Sequence, residues 1–276
     1  MSPSLPRIAL LGAGSMGGAL LAGLIASGVG HGGVTVTNRT AAKAAALGGP
    51  GVTSLALERD PDAQRTALDG ARLVVLGVKP AMIPELLTSI RTDLDPDAVV
   101  VSVAAGVTIA SMEALVPNPV LRAMPNTPAV VRLGVTGLAS GPRVSAEQTA
   151  VARAFFETSG AVVEVPEDRI DALSTISGSG PAYVFLLVES FTATALRMGF
   201  SDADARLMVQ QTFRGASELL AASDVDPAEL RRRVTSPKGT TERAIAVLEE
   251  ADLTGLFDRA TAAALDRARE LAHGDA

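Results

Sequence analysis

Ile8-Ala9-Leu10-Leu11-Gly12-Ala13-Gly14-Ser15-Met16-Gly17 is the stretch that decides the fold. Its four leading apolar residues read as a strand buried on both faces. Gly12, Gly14 and Gly17 follow at G-x-G-x-x-G spacing, and a helical pattern covers residues 16–27. Strand, glycine turn and helix in that order form the setting in which this spacing holds a dinucleotide. Gly12 permits the tight turn, Gly14 lets backbone approach a pyrophosphate, and Gly17 lets helix and strand pack closely. The helix opening near Ser15 and Met16 offers unpaired N–H groups and a positive dipole end to phosphate. The competing reading is a turn whose glycines serve the fold alone.

Working outward, apolar runs at residues 34–37, 73–78, 99–103 and 120–124 repeat the strand signal, with helical patterns between them such as 109–115. The order reads as successive βαβ units and a mainly parallel sheet of Rossmann type. Two further strands are expected at 135–139 and 162–165, around a helix at 146–158. The polar segment 53–70 reads as helix plus loop. Beyond residue 166 the pattern becomes helical, with helices expected at 168–176, 181–198, 202–222, 227–234, 241–250 and 253–272. We therefore expect an α/β nucleotide-binding domain over 1–166 and an all-α domain over 167–276.

Composition narrows the chemistry. The 276-residue chain has no cysteine and two histidines, His31 and His273, so disulfides, thiolate nucleophiles and histidine-based metal sites are not expected. A formal charge of -6 gives no electrostatic case for nucleic-acid binding. The first strand begins within a few residues of Met1, and the longest apolar stretch, 182–198, carries Glu189. Neither a signal peptide nor a membrane span is expected, and the cytoplasm is the expected compartment.

The end of the second strand selects the cofactor. NAD sites place Asp or Glu there for the ribose hydroxyls. Here Asn38-Arg39-Thr40 stands instead, and a guanidinium beside a hydroxyl suits a 2′-phosphate. NADP(H) is the expected cofactor, with NAD(H) as a second choice; an Arg39 that merely points to solvent is the alternative. Val78-Lys79-Pro80 and Ala104-Ala105-Gly106 end the next strands, where nucleotides lie in open α/β sheets. Lys79 serves equally well as a surface charge. Asn126, in Met124-Pro125-Asn126-Thr127-Pro128, is positioned to bond the carboxamide or the substrate, or to serve a rigid turn.

Ser236-Pro237-Lys238-Gly239-Thr240-Thr241 precedes a helical pattern and gathers backbone N–H groups and three hydroxyls at its start. That combination suits a carboxylate; Thr240 or Thr241 acting as a plain N-cap is the simpler alternative. Ser177-Gly178-Ser179-Gly180-Pro181 reads as a second turn of this kind. The helix after it carries five consecutive apolar residues, 184–188, which spread around its whole circumference. A homodimer or larger homo-oligomer that covers this helix is expected, through an interface above roughly 2,000 Å².

These segments, in this order, resemble the pyrroline-5-carboxylate reductases. The most specific is Val234-Thr235-Ser236-Pro237-Lys238-Gly239-Thr240-Thr241; Ser177-Gly178-Ser179-Gly180-Pro181-Ala182-Tyr183 and the turns above agree with it. The chain departs from the family at Lys238, where a small residue is usual. The resemblance implies NAD(P)H-dependent reduction of 1-pyrroline-5-carboxylate to L-proline, the last step of proline biosynthesis. It implies a Rossmann domain and a dimerising helical domain. By matching positions it places the substrate carboxylate and ring nitrogen at Ser236, Gly239, Thr240 and Thr241, with Thr241 as the group assisting proton delivery. Two readings compete. A β-hydroxyacid dehydrogenase needs an acid–base group on its helical domain, and Lys238 is the single lysine there. A non-catalytic NADP sensor needs no ordered substrate loop.

Overall fold

Among the described residues eight strands form one sheet in the order β3-β2-β1-β4-β5-β6-β7-β8. They are β1 (Ile8–Leu11), β2 (Val34–Asn38), β3 (Val52–Ala56), β4 (Leu73–Leu76), β5 (Val99–Ser102), β6 (Val120–Met124), β7 (Gly134–Ser140) and β8 (Gly160–Glu164). The computed structural model describes residues 4–273, with side chains to 270. The described chain divides into two compact units, one running to Ser179 and taking up Leu265 onward, the other Gly180–Ala264.

The first unit's helices are α1 (Ser15–Ser27), α2 (Ala41–Ala45), α3 (Ala63–Leu68), α4 (Ile83–Ile90), α5 (Ile109–Glu113), α6 (Ala146–Glu157) and α7 (Ile170–Leu173). Because both faces of the sheet are covered, the central strands are apolar at every position. Ala9, Leu11, Val74, Leu76 and Val100 face one core with Ile83, Leu87 and Met112 from α4 and α5. Ile8, Leu10, Val36, Val75 and Val101 face the other, with Leu20 and Leu24 of α1 and Phe155 and Phe156 of α6. Each such buried aliphatic or aromatic side chain contributes about 1.5–3 kcal/mol relative to exposure. The two phenylalanine rings meet edge to face, with centroids 5.2 Å apart.

Two features depart from the sequence expectation. Residues 53–70 are not only helix and loop: Val52–Ala56 pairs in parallel with β2 before α3 begins. This strand lies at the sheet edge, where only Ala56 is buried, so it lacks the continuous apolar signal of its neighbours. The segment expected as one helix at 168–176 is a 3-10 turn (Glu167–Arg169), α7, and a π-helical turn (Ser174–Gly178). The expected turn at Ser177-Gly178 is therefore part of a helical run.

One strand pair runs against the rest. β6 and β7 are antiparallel, as the short connection between them requires, since a parallel crossover needs a dozen or more residues. At the centre of β6, Arg122 is 4% exposed and donates from Nη2 to Asp171 of α7, with Glu167 a second anion 3.7 Å from Nη1.

The second unit holds α8 (Gly180–Arg197), α9 (Asp202–Ala221), α10 (Pro227–Arg233), α11 (Thr240–Glu249) and the start of α12 (Leu253–His273). Pro181 and Pro227 sit in the first turns of α8 and α10, where a missing N–H costs nothing. α8 packs on α9, and Tyr183 meets Phe257 with ring centroids 6.1 Å apart. Yet the buried apolar side chains of this unit are Ala195, Ala205 and Val209 alone among the described residues. Phe185, Leu186 and Phe191 are 66%, 60% and 51% exposed.

Candidate active site

The glycine turn stands where the strand order reverses. From β1 the chain builds outward through β2 and β3, then returns to place β4 on the other side of β1. In open α/β sheets the crevice beyond the carboxyl ends at this point takes the ligand. Gly12 has φ +89°, and a Cβ on it would lie 2.7 Å from Val78 Cγ1. A Cβ on Gly17 would lie 2.8 Å from the Gly12 carbonyl oxygen. Gly14 differs: nothing lies within 4 Å of a Cβ built on it, so the space over this residue is open to a ligand. Gly14 is also the N-cap of α1, with no side-chain cap and no acidic residue in the first turn. Open space, unpaired N–H groups and an uncompensated dipole end fit a pyrophosphate. Ser15 is exposed and Met16 half-buried beside this turn.

Sequence reasoning missed Gly77, whose missing side chain is essential to the same turn. A Cβ there would overlap the Gly12 carbonyl, while Gly77 N–H donates to Leu11 O at 2.8 Å. The signal was its position directly after β4.

At the end of β2, Asn38 is 5% exposed and its Nδ2 has no partner among the described residues. Arg39 is exposed and forms no ion pair among the described residues. Thr40 is the N-cap of α2: its Oγ1 accepts from Lys43 N–H at 3.4 Å and keeps its own proton to donate. An exposed guanidinium and a hydroxyl thus stand on one turn, with an orphaned amide buried beneath it. That donor set fits a ribose 2′-phosphate.

Beyond β4, Val78 is half-buried, and Lys79 and Pro80 are exposed, Pro80 opening a short 3-10 turn. Beyond β5, Ala104 is buried with its N–H held by Ser102 Oγ at 3.2 Å, which leaves Ala105 as the exposed member of the pair. Asn126 holds the rigid turn, one of the two roles that the sequence left open for it. Its carboxamide is engaged within the protein: Nδ2 donates to Ser177 O at 2.8 Å and Oδ1 accepts from Val135 N–H at 2.8 Å. It ties the turn after β6 to β7 and to the π-helical turn.

In the second unit, Gly239 N–H donates to Ser236 O at 2.9 Å across Pro237 and Lys238. With proline second and a positive φ third, at +61° on Lys238, the four residues make a type II turn. Gly239 is the N-cap of α11 and supplies no side-chain cap. Thr240 and Thr241 are the first two helical residues, so neither is the plain N-cap that the simpler reading required. Their hydroxyls have no partner among the described residues. Glu242 reaches back to accept the Lys238 N–H at 2.9 Å, which fixes the turn against the helix. Just upstream, bonds from Arg232 and then Arg233 lower the Glu229 carboxyl to about 2, keeping it charged in the first turn of α10. No cluster of His, Cys, Asp and Glu suited to a metal occurs among the described residues. No helix there is long and apolar enough to cross a membrane.

These features define a nicotinamide-dinucleotide fold: a Rossmann-type sheet, and a helical unit with a rigid turn at the uncapped start of α11. A family model described as NADP oxidoreductase coenzyme F420-dependent matches residues 7–106. One described as pyrroline-5-carboxylate reductase dimerisation matches 167–271. The chain is 39% identical to a pyrroline-5-carboxylate reductase of Pseudomonas aeruginosa over 98% of both chains. It is 40% identical to one of Corynebacterium melassecola over 96% of this chain and 98% of that one. A solved pyrroline-5-carboxylate reductase of Coxiella burnetii superposes with a TM-score of 0.85, at 35% identity, covering 96% and 97%. The chain belongs to the pyrroline-5-carboxylate reductase family.

Proposed function

We propose that the chain reduces 1-pyrroline-5-carboxylate to L-proline with NADPH, as the sequence led us to expect. The observation that carries this reading is the glycine N-cap of α11. It leaves the hydroxyls of Thr240 and Thr241 and the first helical N–H groups without partners among the described residues, beside a turn rigidified by Pro237 and Glu242. Those N–H groups and the helix dipole hold the substrate carboxylate. The Thr241 hydroxyl bonds the ring nitrogen and keeps its proton in place. Gly12, Gly14 and the N-terminus of α1 would hold the dinucleotide, which would supply hydride to the carbon of the protonated C=N bond. The π pair of that bond passes to the nitrogen, which keeps its proton as the new C–H bond forms. No strong side-chain acid is needed; orientation by fixed donors contributes on the order of 7–11 kcal/mol in favourable cases.

We assign nucleotide binding to residues 1–166 and substrate binding to 167–276, as expected from the sequence, while the compact units themselves divide after Ser179. The helical part also joins two copies. An α8 whose Phe185, Leu186 and Phe191 lie exposed in one chain is covered in this reading by the same helix of a second. The cytoplasm is the compartment we assign. The test is NADPH consumption with 1-pyrroline-5-carboxylate by the purified chain and by Thr241→Ala. The variant should lose at least tenfold in kcat/KM, from about 1.4 kcal/mol of lost transition-state bonding, with NADPH affinity unchanged. A wild-type chain without turnover would end the proposal, and full activity in the variant would remove Thr241 from it.

A further inference from the structure

The strand end that lacks an acid in sequence receives one in space. β3 continues its ladder beyond its last residue: Leu57 N–H donates to Asn38 O at 2.9 Å and Glu58 N–H to Arg39 O at 3.1 Å. This brings the Glu58 side chain to the turn after β2, where Oε1 accepts the Ala41 N–H at 2.7 Å. Glu58 thus brackets Thr40, with its backbone on Arg39 and its carboxylate on Ala41. It forms no ion pair with the adjacent Arg39 among the described residues, so the guanidinium stays free while a negative charge stands beside it.

We infer that Glu58 is a specificity-determining residue: its carboxylate holds a backbone donor of the 2′-phosphate turn and restrains the preference for NADPH over NADH. The inference rests on the NADPH reading above. A carboxylate at this turn repels a phosphate dianion and occupies one of its donors, whereas a ribose carrying a free 2′-hydroxyl meets neither penalty. Arg39 draws the phosphate in, and Glu58 limits the gain. The chain therefore combines an NADP-type strand end with an NAD-type acid borrowed from the neighbouring strand.

The experiment measures binding of 2′-phospho-ADP-ribose and of ADP-ribose by calorimetry, for the full chain and for Glu58→Gln. Glutamine keeps an oxygen for the Ala41 N–H and removes only the charge. We expect the ratio of the two affinities to rise roughly three- to tenfold in favour of the phosphorylated ligand. The ADP-ribose affinity should move less than about twofold. The gain should shrink at high salt, since the charge is exposed. An unchanged ratio, or equal weakening of both ligands, would overturn the inference and make Glu58 a structural brace. Failure of the cofactor reading looks different: wild type would show no preference between the two ligands, and Arg39→Ala would not alter that.

Discussion

Lys238 holds a conformation that suits glycine. Its φ of +61° places it third in a type II turn, where a Cβ crowds the backbone. A left-handed residue with a Cβ costs about 1–2 kcal/mol. Lys238→Gly removes that strain but frees the unfolded chain, which takes back about 0.4–1 kcal/mol. The net gain should be about 0.8 kcal/mol, or roughly 2 °C in Tm for a chain of this size. Lys238→Ala is the control, since it loses the ammonium and keeps the Cβ. In both variants the backbone N–H still reaches Glu242. Urea melts at one fixed protein concentration, which holds any association constant, measure the two against wild type. The glycine variant should exceed the alanine variant by about 0.8 kcal/mol with unchanged slope. Equal stability of the two, or a less stable glycine variant, would refute the strain argument and leave Lys238 an ordinary surface residue.

Arg39→Ala should weaken NADPH binding by roughly 1.5–3 kcal/mol with little effect on NADH; the kcat/KM ratio for the two cofactors reads it, and an unchanged ratio refutes it. Asp171→Ala leaves the buried Arg122 with only the more distant Glu167, and should cost about 3 kcal/mol in a urea melt. Light scattering at low micromolar concentration should give at least twice the chain mass of 28.1 kDa. Phe185→Glu, which puts a charge on the exposed face of α8, should shift that mass toward the monomer, and a monomeric active wild type would remove the oligomer from the account.

The central strands were legible because burial on both faces makes every position apolar, as at Ile8–Leu11 and Leu73–Leu76. β3 was not, because an edge strand with one face toward solvent mixes Thr53 and Ser54 with Val52 and Leu55. The glycine spacing marked the tight turn after β1, yet Gly77, on which Gly12 rests, is distant in sequence. Asn126 illustrates the limit for side chains. Its residue type and loop marked it as polar and placed, while its partners, Ser177 and Val135, are visible only once the π-helical turn exists. Glu58 falls in the same class: its role depends on a strand pairing that the polar segment concealed.

The bare N-terminus of α1 has a consequence for the life of the protein. A helix whose first turn has neither a capping side chain nor an acid would, in the proposed reading, be completed by its ligand, and the dinucleotide would then serve as part of the folded structure. At a free concentration one hundred times its dissociation constant, such a ligand adds about 2.7 kcal/mol to stability. A difference of that size alters how often a chain opens to proteases and hence how much of it accumulates. Supply of reduced cofactor would thereby set both the rate of each molecule and the number of molecules a cell retains.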